Sequence, residues 1–130
     1  MDLASTDFYL IARGTGAGVV TLSWTEETSD MTDIDYRAAL TRLGNIASEY
    51  RPSAILVDVS CLRHEPGESV EEWHRMSIIP EFNRAGLKKM AYAWGETAEV
   101  PPDPYPDPAE KFMTRNFSSR EQAREWLLSY

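Results

Sequence analysis

The chain has 130 residues, 42% apolar and 11% aromatic, which predicts one domain with a real core. A formal net charge of −8 argues against nucleic acid and anionic membrane surfaces, since both demand clustered Lys and Arg. Cys61 is the only cysteine, so neither an internal disulfide nor a cysteine-rich metal site is expected. Residues 1–6 carry no basic region and no apolar signal core, and no apolar run approaches the roughly 20 residues that cross a bilayer. The expectation is a cytoplasmic protein without membrane insertion.

Residues 7–13, with Phe8, Tyr9, Leu10 and Ile11, read as a strand. Gly14-Thr15-Gly16-Ala17-Gly18 follows as a hairpin turn, because glycine tolerates the positive φ such turns require. A phosphate cradle would have to open a helix, whereas Val19 to Trp24 reads as a second strand, with Val20, Leu22 and Trp24 on one face. Residues 25–31 are polar and predict a loop. Thr32 or Asp33 caps a helix to about Tyr50, whose apolar side is Tyr36, Leu40, Leu43, Ala47 and Tyr50.

Residues 54–59, Ala-Ile-Leu-Val-Asp-Val, read as a strand buried on both faces, the centre of a parallel sheet. Asp58 falls at its carboxyl end, the edge where open α/β sheets hold ligands. Residues 60–68 predict a loop. Ser69-Val70-Glu71-Glu72 matches a capping box opening a helix to about Arg84, with Gly86 just past its end. Pro80 lies inside that helix and clashes with the carbonyl of Met76, so a kink or break is expected. Residues 87–94 read as a strand. Residues 96–111 hold five of the eight prolines and predict a stiff extended surface loop. Residues 112–117 form a weaker strand candidate, and Ser119-Arg120-Glu121-Gln122 opens a last helix by a second capping-box pattern.

The order β-β-α-β-α-β-β-α predicts an α/β domain spanning residues 1–130. Its mixed, mostly parallel sheet has about five strands, an N-terminal antiparallel hairpin, right-handed crossovers and helices largely on one face. Ile55-Leu56-Val57-Asp58, the helix with Trp73, residues 79–91 (Ile-Pro-Glu-Phe-Asn-Arg-Ala-Gly-Leu-Lys-Lys-Met-Ala) and residues 119–128 resemble the SpoIIAA-like, or STAS-like, family of small bacterial proteins, from about Val19 onward. The resemblance implies a superhelix of β-α units and no reaction. Members of the wider fold act as anti-sigma-factor antagonists, as cytoplasmic parts of anion transporters, or as lipid-binding relatives of the CRAL-TRIO kind. Phosphorylatable antagonists carry an Asp-Ser pair after the central strand. Here that place reads Glu65-Pro66-Gly67-Glu68-Ser69, so Ser69 lacks the preceding aspartate and is expected to be a cap, not a phosphoacceptor.

No set of residues reads as catalytic. Cys61 and His64 follow the central strand, but a thiolate pair forms in space rather than by short spacing. The expectation is a small buried Cys61 and a solvated His64. His74 reads as a surface or boundary histidine. Asp58, His64 and His74 do not have the spacing of a metal site, and no cofactor is expected. Glu71 and Glu72 read as acids favoured by the helix dipole. Trp73, Met76, Phe82, Tyr92 and Trp94, with Asp58, are candidates to line an apolar pocket beneath the kinked helix. The functional expectation is a non-enzymatic regulatory or protein-interaction domain, its partner another protein or a second copy of the chain. The alternative is a binder of a small, lipid-like apolar molecule beneath residues 70–84.

Overall fold

The computed structural model describes residues 1–14, 18–105 and 107–129. The middle of the glycine turn, residues 15–17, and Pro106 within the proline-rich stretch lie outside the described residues, as does Tyr130. The elements are β1 (Asp2–Ser5), β2 (Tyr9–Arg13), β3 (Val19–Trp24), a 3₁₀ turn (Glu26–Asp30), α1 (Asp33–Tyr50), β4 (Ala54–Asp58), α2 (Glu68–Trp73), a π turn (His74–Ile78), α3 (Ile79–Ala85), β5 (Lys89–Ala93), β6 (Met113–Phe117) and α4 (Arg120–Leu128).

One sheet carries six strands in the order of the chain. β1, β2 and β3 are antiparallel neighbours, and β3 through β6 are parallel. The expected hairpin and parallel region are both present. The sixth strand is β1, in a stretch too short and too polar to show an apolar alternation; its pairing with β2 is broken by an irregularity between Asp2 and Ala4.

Period-two alternation gives the sheet two unequal cores. One face presents Ile11, Val20, Leu22, Ile55, Val57 and Met90 to α1 and α3, and this is the larger cluster. The other presents Val19, Ala54, Leu56 and Ala91 to α4 through Ala123 and Leu127. Every residue of β4 is buried, because helices cover both of its faces. The helices therefore gather largely on one side, with α4 as the exception. The β3–β4 and β4–β5 connections pack on the same face while the sheet advances in one direction, so both crossovers share one hand.

Helix ends follow local chemistry. Thr32 closes a full capping box with Asp35 at the start of α1. At α4, Ser119 Oγ accepts from the Gln122 amide at 3.2 Å, one half of the predicted box, while Gln122 Oε1 accepts from the Ser118 hydroxyl at 2.9 Å. At α2 the predicted serine cap is replaced: Gly67 is the N-cap, no side chain caps the helix, and Ser69 already lies within it. Glycine at position 67 lets the loop lie close to α1, since a Cβ there would sit 3.1 Å from Asp33 Oδ2. Pro80 does not break the helix. The ladder widens by one residue before it, with the Ile79 amide donating to the His74 carbonyl, five residues back. Gly86 then ends α3 in the left-handed region at φ 83°.

Candidate functional site

The carboxyl ends of β3, β4 and β5 meet two different environments, one on each face of the sheet. On the larger face a cavity of about 40 Å³ lies beneath the π turn. Trp24, Leu43, Val57 and Met90 form its apolar walls, with Tyr36, His74 and Tyr92 beside them. Tyr36 stacks on Trp24 with ring centroids 5.3 Å apart. Burial raises the phenol pKa of Tyr36, and the nearby Glu71 charge raises it further. Burial also raises Tyr92, with Tyr36 and Glu110 adding to it. Burial lowers His74, which favours the neutral imidazole. His74 is thus a boundary histidine, as predicted, with its ring turned toward the cavity lining.

On the α4 face, Asp58 is 9% exposed. It shares that face with Ala54 and Leu56, so alternation carries it away from the kinked helix. This corrects its placement among the pocket residues. Its Oδ1 accepts from the Ser60 amide at 2.9 Å and the Ser60 hydroxyl at 2.6 Å. Its Oδ2 lies 3.4 Å from Arg120 Nε, and Arg120 in turn donates to Ser23 Oγ at 3.2 Å. A hollow of about 180 Å³ opens beside this cluster, bordered by Gly95, Ser118 and Ser119. Arg120 escaped the sequence reading because its partner lies 62 positions away. The signal was the parallel order, which brings the ends of β4 and β6 near one another.

The remaining candidates scatter. Of the six pocket residues named from the sequence, Phe82 and Tyr92 line the cavity. Trp73 is partly buried, with the Arg37 guanidinium 5.4 Å from its ring centroid. Met76 is 73% exposed, because the π turn rotates it outward. Trp94 donates to Asn116 Oδ1 at 3.0 Å instead. His64 is not solvated: its side chain is 15% exposed and its Nε2 lies 2.8 Å from Asp33 Oδ1. That pairing turns the ring toward α1. Cys61 is half-buried, and the hydroxyl contact to its sulfur comes from Ser60 at 3.9 Å. Asp58, His64 and His74 occupy three separate settings, and among the described residues no group of three His, Cys, Asp or Glu is placed to hold a metal ion.

The proline-rich loop is held in place by two asparagines that the sequence reading missed. Asn83 donates to the Ala109 carbonyl at 2.7 Å and accepts from the Lys111 amide at 2.9 Å. Asn116 donates to the Pro102 carbonyl at 3.0 Å, and its amide donates to Asp103 Oδ1 at 2.8 Å. That last bond occupies an outward amide of edge strand β6, which blunts a template for unwanted pairing. No helix among the described residues is long and apolar enough to cross a membrane. No protein-family model, curated protein or solved structure matches the chain.

Proposed function

We propose that this chain is a non-enzymatic regulatory or protein-interaction domain of the STAS-like kind, engaging a protein through the segment formed by α2 and the π turn. One comparison of volumes carries the reading. Pockets that enclose small molecules run to about 300–1,000 Å³, and the cavity beneath the π turn is about 40 Å³. That space suits a water or two, not an acyl chain. The open surface of this helical segment lies outside it, where Met76 is exposed among Glu68, Glu71 and Glu72. The scatter of Cys61, His64, Asp58 and His74 supports a binding role over a catalytic one, because a nucleophile and its base must meet within hydrogen-bond reach.

Native mass spectrometry of the protein isolated gently from its source cells tests the reading. The expected species is heavier than one chain by the mass of a protein, either a partner or a second copy. A lone chain carrying a small apolar adduct would replace this reading with that of a ligand binder whose cavity opens when the π turn moves.

A further inference from the structure

The outer side of α2 and the π turn forms one wall of a trough of about 590 Å³, and Ala109 of the proline-rich loop stands on the other. The loop wall is fixed, since Asn83 holds both Ala109 and Lys111. Glu68, Glu71 and Glu72 line the trough, and among the described residues none of them forms an ion pair. Arg75 is the cation in the trough, and it is already committed to Asp107, with Nε 3.4 Å from Oδ2. A second hollow of about 270 Å³ borders the same loop, with Asp103, Asp107 and Glu110 and one cation, Arg115, whose Nε lies 3.9 Å from Asp103 Oδ2. Burial raises the Glu110 carboxyl, and the neighbouring Asp107 charge adds to the shift. Among the described residues the carboxylates on this side without an ion pair are Glu68, Glu71, Glu72 and Glu110.

Helix chemistry explains part of this and leaves the rest. Glu68 and Glu71 lie in the first turn of α2, where acids are favoured by the helix dipole. Asp107 pairs with Arg75 and accepts from the Ala109 amide, and Glu110 accepts from the Thr114 hydroxyl, but Glu72 has no such partner among the described residues. The π turn also aims a large apolar side chain, Met76, into the trough at 73% exposure. An adaptable thioether set among unpaired carboxylates suits a partner that is both apolar and cationic.

We propose that this trough docks a basic amphipathic segment of a protein partner, with lysines or arginines meeting Glu68, Glu71 and Glu72 and one apolar side chain packing on Met76. The proposal rests on the interaction reading above and names its partner chemistry. Groove and occupant are complementary in charge, so association should be fast at low salt and weaken as salt rises.

The test uses the full chain and a synthetic fluorescent peptide of alternating Lys and Leu at helical spacing, followed by anisotropy at low and physiological salt. Glu71→Gln combined with Glu72→Gln should weaken binding at least about tenfold, and Met76→Ala should weaken it several-fold. Glu121→Gln combined with Glu125→Gln makes the same change in net charge on α4, across the sheet, and should leave binding nearly unchanged. Equal loss from both double variants would show attraction by net charge alone and overturn the proposal, as would undetectable peptide binding by the folded wild-type chain. Either failure leaves native complexes with a non-basic partner intact, so it is separable from failure of the interaction reading itself.

Discussion

Two serines sit in matching sequence patterns and do different things. Ser119 accepts from the Gln122 amide and caps α4, so Ser119→Ala should cost about 0.5–2 kcal/mol in chemical denaturation. Ser69 lies inside α2, exposed, with Gly67 at the cap. Ser69→Ala should therefore change stability by less than about 0.5 kcal/mol. The two patterns are indistinguishable locally, and what differs is where each helix begins: α2 starts one residue before its serine, α4 directly after its own. A phosphate on Ser69 is expected to be opposed by Glu68, Glu71 and Glu72, which lie beside it in the helix.

His74 gives the residue scale its pH dependence. Its folded pKa is lowered by burial from an ordinary 6.5, so the unfolded chain binds the proton more tightly. Stability from this group is present above about pH 6.5 and is lost as pH falls below that value toward the folded pKa. Glu110 acts in the opposite sense and lower down: its carboxyl is raised from 4.5 by burial, so its contribution falls as pH rises above that value. The groups facing His74 across the cavity, Tyr36 and Tyr92, stay neutral throughout, because burial raises both. Thermal unfolding followed from pH 7 down to about pH 5 should show a midpoint that falls below pH 6.5 in the wild type. His74→Phe should flatten that slope; an unchanged slope would remove His74 as its source.

At the scale of elements, the loop after β5 makes the clearest prediction. Its prolines marked it as extended and unable to join the sheet interior, and that much was legible. Its attachment was not, because Asn83 and Asn116 have no periodic signature and act through single hydrogen bonds. Asn83→Ala removes both bonds on one side. It should raise amide exchange across residues 107–111 and speed proteolysis there, while the core amides of β4 keep their protection. The helix over this region shows the other limit of sequence reading. Pro80 correctly marked a disturbance, but it could have produced a kink, a break or a widened turn. The π turn was selected by packing: it keeps Ile78, Ile79 and Phe82 buried on the core side of Pro80, whereas a break would expose them. β1 was illegible for a related reason, since its pairing is supplied by the free edge of β2 rather than by its own pattern.

At the scale of the molecule, the architecture follows from one fully buried strand. β4 has α1 and α3 over one face and α4 over the other, and the residues flanking its carboxyl end divide between the two. Asp58 goes to the α4 side, and the cavity with His74 and Tyr92 lies on the other. The central claim is that the outward side of α2 and the π turn meets another protein. Photo-crosslinking in the source cells tests it directly, with a benzophenone side chain placed at position 76 and, as control, at position 125 on α4. The account predicts a defined protein adduct from position 76 that is absent from position 125. Crosslinking from neither position, or the same diffuse products from both, would contradict it.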